Sequence, residues 1–199
     1  MSPILFLDVD GVLNTHDGWA AGHDGHDSLD PGPVARLNAL CHRTGCRIVV
    51  SSSWRGGPYR GPKGCRAILR RLGVTGPFHR DWRTRDWRPA DGWGWECKVR
   101  GKQIADWLAA HPATAYAIVD DDSDMLPEQM PRYVKTHFKD GLQDVHIERL
   151  IALLAFDAPA VVERHRQELR DGAAAAKAAW DRRGGVPVNA RFAARVRAK

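Results

Sequence analysis

Apolar residues fall along the chain in two kinds of block. Short unbroken runs at Pro3 to Asp8, Arg47 to Ser51 and Ala115 to Asp120 each end in polar residues. They are too short for helices and continuous rather than alternating, as expected for strands buried on both faces of a parallel sheet. Between them the spacing changes to that of a helix. Pro33 to His42 places Val34, Leu37, Leu40 and Cys41 on one face, and Lys102 to Ala110 does the same with Ile104, Trp107 and Leu108. Tyr133 to His137 predicts a fourth strand, and His146 to Phe156 predicts an apolar closing helix. Strands alternating with helices predict an α/β fold: a Rossmann-like parallel sheet with helices on both faces, joined by right-handed crossovers.

Two stretches lack either pattern. Arg55 to Cys97 is rich in Gly, Arg and Trp, and only Arg66 to Leu72 reads as helical. Ordered loops around that helix are expected there, without a second core. Thr15 to Pro31 carries His16, His23, Asp24, His26 and Asp27 interleaved with glycines, which predicts a mobile polar flap more readily than a transition-metal site. The 199 residues suit one domain with an appendage. The domain is expected over residues 1–156, followed by a basic extension over 157–199. That extension has high helix propensity around Ala173 to Ala176 but little apolar face, and it breaks at Gly184-Gly185.

Charge sharpens this division. The overall net charge is +6. Residues 1–54 are net −3, residues 55–102 are net +9 with 13 basic and 4 acidic groups, residues 103–156 are net −5, and residues 157–199 are net +5. Acidic motifs alternating with basic segments suit a metal site that must also attract an anion. The four cysteines, Cys41, Cys46, Cys65 and Cys97, form neither a zinc pattern nor a disulfide framework and read as reduced packing residues. The start has no basic leader, and no apolar run is long enough for a signal peptide or membrane span, so a cytoplasmic protein without a membrane partner is expected.

The chemistry gathers where the strands end. Asp8-Val9-Asp10-Gly11 follows the first apolar run, and the carboxyl ends of strands are where open α/β sheets collect reactive groups. Two acids one residue apart, with a glycine permitting a sharp turn, let one carboxylate face a substrate and the other reach its leaving group. Asp120-Asp121-Asp122-Ser123-Asp124 follows another run and suits equally a solvated acidic turn or helix cap and the hard oxygen ligands that Mg²⁺ requires; the two acidic clusters together favour the metal. A third strand end offers the hydroxyls of Ser51, Ser52 and Ser53. Lys98, Arg100 and Lys102 precede or open a helix, where a cation would balance a phosphoryl group in transfer. Arg80, Arg83, Arg85 and Arg88 mix with Trp82, Trp87, Trp93 and Trp95. That composition suits phosphate contact and base stacking, and equally suits tryptophans anchored on the core with the arginines in water.

These residues spell a known pattern. Asp8-Val9-Asp10-Gly11-Val12-Leu13-Asn14 resembles motif I of the haloacid dehalogenase (HAD) superfamily, Ser51 to Trp54 its motif II, and Asp120-Asp121 its acidic motif IV. Together with the RGKQIADWL and KTHFKDGL segments, they resemble more narrowly the phosphatase domains of "Swiss Army Knife" RNA repair proteins, over roughly residues 3–156. The resemblance implies a HAD-type fold without a large cap and a magnesium-dependent phosphomonoesterase acting through an aspartyl phosphate. It makes Asp8 the nucleophile and Asp10 the acid/base. It has Mg²⁺ held by the carboxylate of Asp8, the backbone carbonyl of Asp10 and the carboxylate of Asp121, with Asp120 close behind and Asp124 a further candidate.

Ser52 is the implied motif II hydroxyl, with Ser51 one residue away. Arg100 best matches the motif III cation, although a lysine is usual there, which keeps Lys98 and Lys102 open. The implied partner is a phosphorylated substrate, with a nucleic-acid end as one candidate. Two alternatives stand beside this reading: a nucleic-acid-binding or partner-docking module without turnover, and a phosphotransferase that uses the same residues on an acceptor other than water.

Overall fold

The computed structural model describes residues 2–23, 28–55, 64–85, 99–113, 115–155 and 158–182. Five strands, β1 (Ile4–Leu7), β2 (Arg47–Val50), β3 (Phe78–Arg83), β4 (Tyr116–Asp120) and β5 (Tyr133–Lys135), form one sheet in the order β3-β2-β1-β4-β5. All four pairings are parallel, with Ile4 opposite both Arg47 and Tyr116. Because the strands are in register, their carboxyl ends form one edge, and Asp8, Ser51 and Asp120 fall side by side on it.

The helices are α1 (His16–Ala20), α2 (Pro31–Thr44), α3 (Gly64–Arg71), α4 (Arg100–Ala110), α5 (Asp144–Leu154) and α6 (Ala158–Arg182). Alternate strand residues separate the core into two layers. Leu5, Leu7, Ile48, Val50, Ala117 and Val119 pack with Leu37 and Leu40 of α2, Leu69 of α3 and Leu150 of α5. Ile4, Phe6, Val49 and Ile118 face the other way, onto Ile104 and Trp107 of α4. The helices therefore cover both faces, as the pattern of apolar runs requires. The bounds of α2 follow from local chemistry: the Asp30 side chain caps Gly32 N, Pro31 opens the helix, and Gly45 at φ +63° ends it.

The expectation for Arg55 to Cys97 is corrected in part. The expected helix is there as α3, but β3 also lies within the segment and extends the sheet, where the sequence predicts only loops around that helix. The strand is hard to recognise because it is an edge: only Phe78 is buried, and its pairing jumps from Ile48↔Phe78 to Val50↔Arg83, so intervening residues bulge out of register. Trp82 is half-buried against the core, with the Arg66 and Arg83 guanidinium groups 5.8 and 5.2 Å from its ring centre, while Arg80, Arg83 and Arg85 are exposed. Arg88, Trp87, Trp93, Trp95, Cys97 and Lys98 lie outside the described residues. The strand predicted over Tyr133 to His137 is β5 and ends at Lys135, two residues earlier than expected, and the closing helix occupies Asp144–Leu154.

The flap expectation also changes. Residues 16–20 form α1, whose N-terminus the Thr15 hydroxyl caps by accepting from Gly18 N at 2.8 Å. His16 is exposed and His23 contacts Ser28, whereas Asp24, His26 and Asp27 lie outside the described residues. In α6, Val162 enters the core, His165 contacts the Pro131 carbonyl and Arg149 of α5 pairs with Glu168 at 3.7 Å. From Gln167 to Arg182 every side chain but Ala179 is exposed. Cys41, Cys46 and Cys65 are buried thiols. Among the described residues, no helix is long and apolar enough to cross a membrane.

Candidate active site

After β1 the chain leaves the sheet in a tight curl. Asp8 N still donates to Val119 O at 3.1 Å, and the amides of Leu13 and Asn14 then fold back onto Val9 O at 2.8 and 2.9 Å. Gly11 is required twice over. Its φ is +69°, and a Cβ there would lie 2.2 Å from the Asp121 carboxylate. The second acidic turn thus sits directly against the first. The segment after β5 brackets the curl from outside, because Thr136 Oγ1 donates to Gly11 O at 2.7 Å and Leu142 N to Val12 O at 3.0 Å. This is the structural role of the KTHFKDGL stretch.

Asp8, Asp120 and Asp121 each offer a carboxylate oxygen, and the three oxygens lie within 4.8 Å of one another. No other group of this kind occurs among the described residues. Arg100 Nη1 reaches both Asp8 Oδ1, at 2.8 Å, and Asp120 Oδ2, at 2.6 Å. Burial raises the Asp8 carboxyl above the usual range, opposed by Arg100 and by a hydrogen bond from Ser52. Burial, reinforced by the charge on Asp8, pushes Asp120 up to about 8, and the same two causes raise Asp121. Burial disfavours the Arg100 charge, but Asp8 and Asp120 outweigh it and raise its pKa. Three acids held together with one guanidinium leave negative charge that a divalent cation would relieve, so the residues fit Mg²⁺. Asp120 already uses both oxygens, one on Arg100 and one accepting from Asp122 N at 3.0 Å. Asp8 and the half-buried Asp121 are therefore the better direct ligands.

Asp10 is placed differently. Its carboxylate accepts from Asn14 Nδ2 at 2.6 Å and from Trp54 Nε1 at 3.0 Å, and Asn14 in turn accepts from Trp19 Nε1. Two neutral donors orient it beside the cluster without making it a member. At the end of β2, Ser52 is buried and its hydroxyl acts to lower the Asp8 carboxyl, whereas Ser51 Oγ is buried without a hydrogen-bond partner. Arg55 was read from sequence only as part of a basic segment. It is buried, and its guanidinium donates to the carbonyls of Ser51 and Ser52 and to Gln103 Oε1 of α4. It ties the serine turn to the helix that carries Arg100.

The position of Arg100 depends on Asp124. Val99, at the N-cap of α4, offers no side-chain cap. Asp124 Oδ2 instead accepts from Arg100 N at 2.8 Å, and Asp124 O from Gly101 N at 3.1 Å. Gly101 permits this approach, since a Cβ would lie 2.4 Å from Leu126 N. Asp124 is thus the cap of α4 and stands outside the carboxylate cluster, supporting the site through Arg100. Lys102 is exposed on the helix, leaving Arg100 as the described cation inside the site. Asp124→Ala is expected to cost about 1 kcal/mol of stability, read as a lower denaturant midpoint, and Asp124→Asn clearly less.

A family model described as the HAD domain in Swiss Army Knife RNA repair proteins matches residues 4–147. The match spans β1 to the first turn of α5 and includes every acid, serine and arginine of the site. No curated protein and no solved structure matches the chain.

Proposed function

The chain belongs to the family of HAD domains found in Swiss Army Knife RNA repair proteins, and from that premise we propose that it is a magnesium-dependent phosphomonoesterase working through an aspartyl phosphate on Asp8. The observation that carries the reading is the cluster of Asp8, Asp120 and Asp121 with Arg100 bridging two of them.

In the first half-reaction, an Asp8 oxygen forms a bond to phosphorus as the bond from phosphorus to the ester oxygen breaks in line. Asp10 donates its proton to that departing oxygen. In the second half, Asp10 takes a proton from water, the water oxygen bonds to phosphorus, and the Asp8 carboxylate is released with inorganic phosphate. Arg100 orients Asp8 and offsets charge on the phosphoryl group, while the Ser52 hydroxyl favours the ionised nucleophile. The Asp8 and Asp121 carboxylates and the Asp10 backbone carbonyl would hold the metal, with Asp120 behind them. Magnesium bound there supplies positive charge to the phosphoryl oxygens.

The substrate proposed is a phosphorylated nucleic-acid end or nucleotide. Between the first curl and β2 the described chain forms only α1 and α2, so no cap domain there covers the carboxyl edge. Exposed Arg83 ends β3 and exposed Arg85 follows it on the same edge, with Arg83 Nη1 on Arg55 O at 3.1 Å.

Removing magnesium with a chelator is expected to reduce phosphate release to background, and re-addition to restore it. Magnesium is also expected to raise the melting temperature of the wild type, and to raise it less for Asp121→Asn. Turnover that persists in chelator would overturn the metal-dependent reading.

A further inference from the structure

Trp19 and Phe138 stand out among the exposed large apolar side chains. They are 46% and 37% exposed, and their rings meet edge to face at 5.0 Å between centroids. Both stand at the catalytic edge, Trp19 on α1 just after the motif I curl and Phe138 just after β5. They come together through backbone bonds, His16 N donating to Phe138 O and Asp17 N to Lys139 O, each at 2.9 Å. The pair is therefore preorganised rather than collapsed by chance.

The placement has a direction. Trp19 Nε1 donates to Asn14 Oδ1, and Asn14 Nδ2 donates to Asp10 Oδ1 at 2.6 Å. One amide separates the indole from the carboxylate that, in the proposed reaction, handles the leaving oxygen. A group attached to that oxygen has the ring pair next to it. With its only polar donor committed to Asn14, Trp19 presents a bare ring, and Phe138 has no polar atom at all. The exposed neighbours are of mixed sign, with Asp17 and Asp140 beside Lys139. Such a surface does not track a polyanion. It suits a flat, neutral ring whose π-face stacks without hydrogen bonds.

We propose that Trp19 and Phe138 form a stacking platform for the nucleobase of the nucleotide whose phosphate is cleaved, making them specificity-determining residues on the leaving-group side. This rests on the phosphatase reading above. A free mononucleotide and the terminal nucleotide of a strand share this chemistry.

The test compares adenosine monophosphate with glycerol phosphate, in wild type and in Phe138→Ala, Phe138→Leu and Phe138→Tyr, by kcat/KM and, with magnesium present, by calorimetric binding. The ratio favouring the nucleotide is expected to fall about tenfold in Phe138→Ala and Phe138→Leu, through KM rather than kcat, and to return in Phe138→Tyr. Because leucine keeps the apolar bulk, loss in both variants separates stacking from misfolding. A ratio unchanged in the alanine and leucine variants, or a pyranose phosphate whose preference falls equally, overturns the platform while leaving the phosphatase standing. Nucleotide binding that weakens in Phe138→Ala without turnover of any ester keeps the platform and overturns the phosphatase. A phosphate-ended dinucleotide separates the two sources: losses larger than those for the mononucleotide place the strand terminus on the rings, and equal losses assign them to the single base.

Discussion

Asp8→Asn is expected to reduce phosphate release by at least about a thousandfold while leaving the protein folded. The amide has nearly the same shape as the carboxylate but is a poor nucleophile, so the covalent step is removed without a cavity. The effect on stability has a predictable sign. Burial raises the Asp8 carboxyl, so between its ordinary and its folded value the folded state holds more protons than the unfolded one, and stability falls as pH rises through that window. Above the folded value the full cost of the buried charge is present. Asparagine removes that cost, together with repulsion from Asp120 and Asp121. The melting temperature of the metal-free variant, measured at neutral pH and above, should be no lower than that of the wild type. A marked drop would mean that Asp8 has a mainly structural role.

Arg100→Ala is expected to lower kcat by about a hundredfold or more, the size of effect seen when one preorganised donor to a reacting group is removed. It should also destabilise the metal-free protein by up to about 3 kcal/mol, because Asp8 and Asp120 would remain buried without their cation. Arg100→Lys is expected to recover most of both losses. The reason lies in the geometry: a single nitrogen, Nη1, makes both the Asp8 and the Asp120 contacts, so the bidentate fork that distinguishes arginine is not used there. Steady-state kinetics and denaturant midpoints for the two variants check both parts.

The fold was legible wherever a segment is buried on both sides. β1, β2 and β4 announce themselves as unbroken apolar runs, and α2 and α4 by their single apolar faces. β3 did not, because it ends the sheet, only one of its six side chains is buried and its register slips against β2. In the site, the acids were legible because each follows an apolar run directly, so the position of the strand fixes the position of the carboxylate. What escaped are the contacts that orient them. Arg55 meets Gln103 across 48 residues, Trp54 meets Asp10 across 44, and Asp124 caps Arg100 across 24. No local spacing encodes such pairs, and they exist only once β2, α4 and the acidic turn share an edge. Asp124 is instructive, since within an acidic run a helix cap and a metal ligand are the same residue type and only the backbone it faces separates them.

The central claim is that phosphorus is transferred to Asp8. It is tested most directly by acid-quenching the protein during turnover and measuring the mass of the peptide that contains Asp8. A phosphoryl group is expected on that peptide, dependent on magnesium, released by alkaline hydroxylamine as an acyl phosphate should be, and absent from Asp8→Asn. Magnesium-dependent turnover with no phosphoryl group on Asp8 at any quench time, or with the group on another residue, would contradict it.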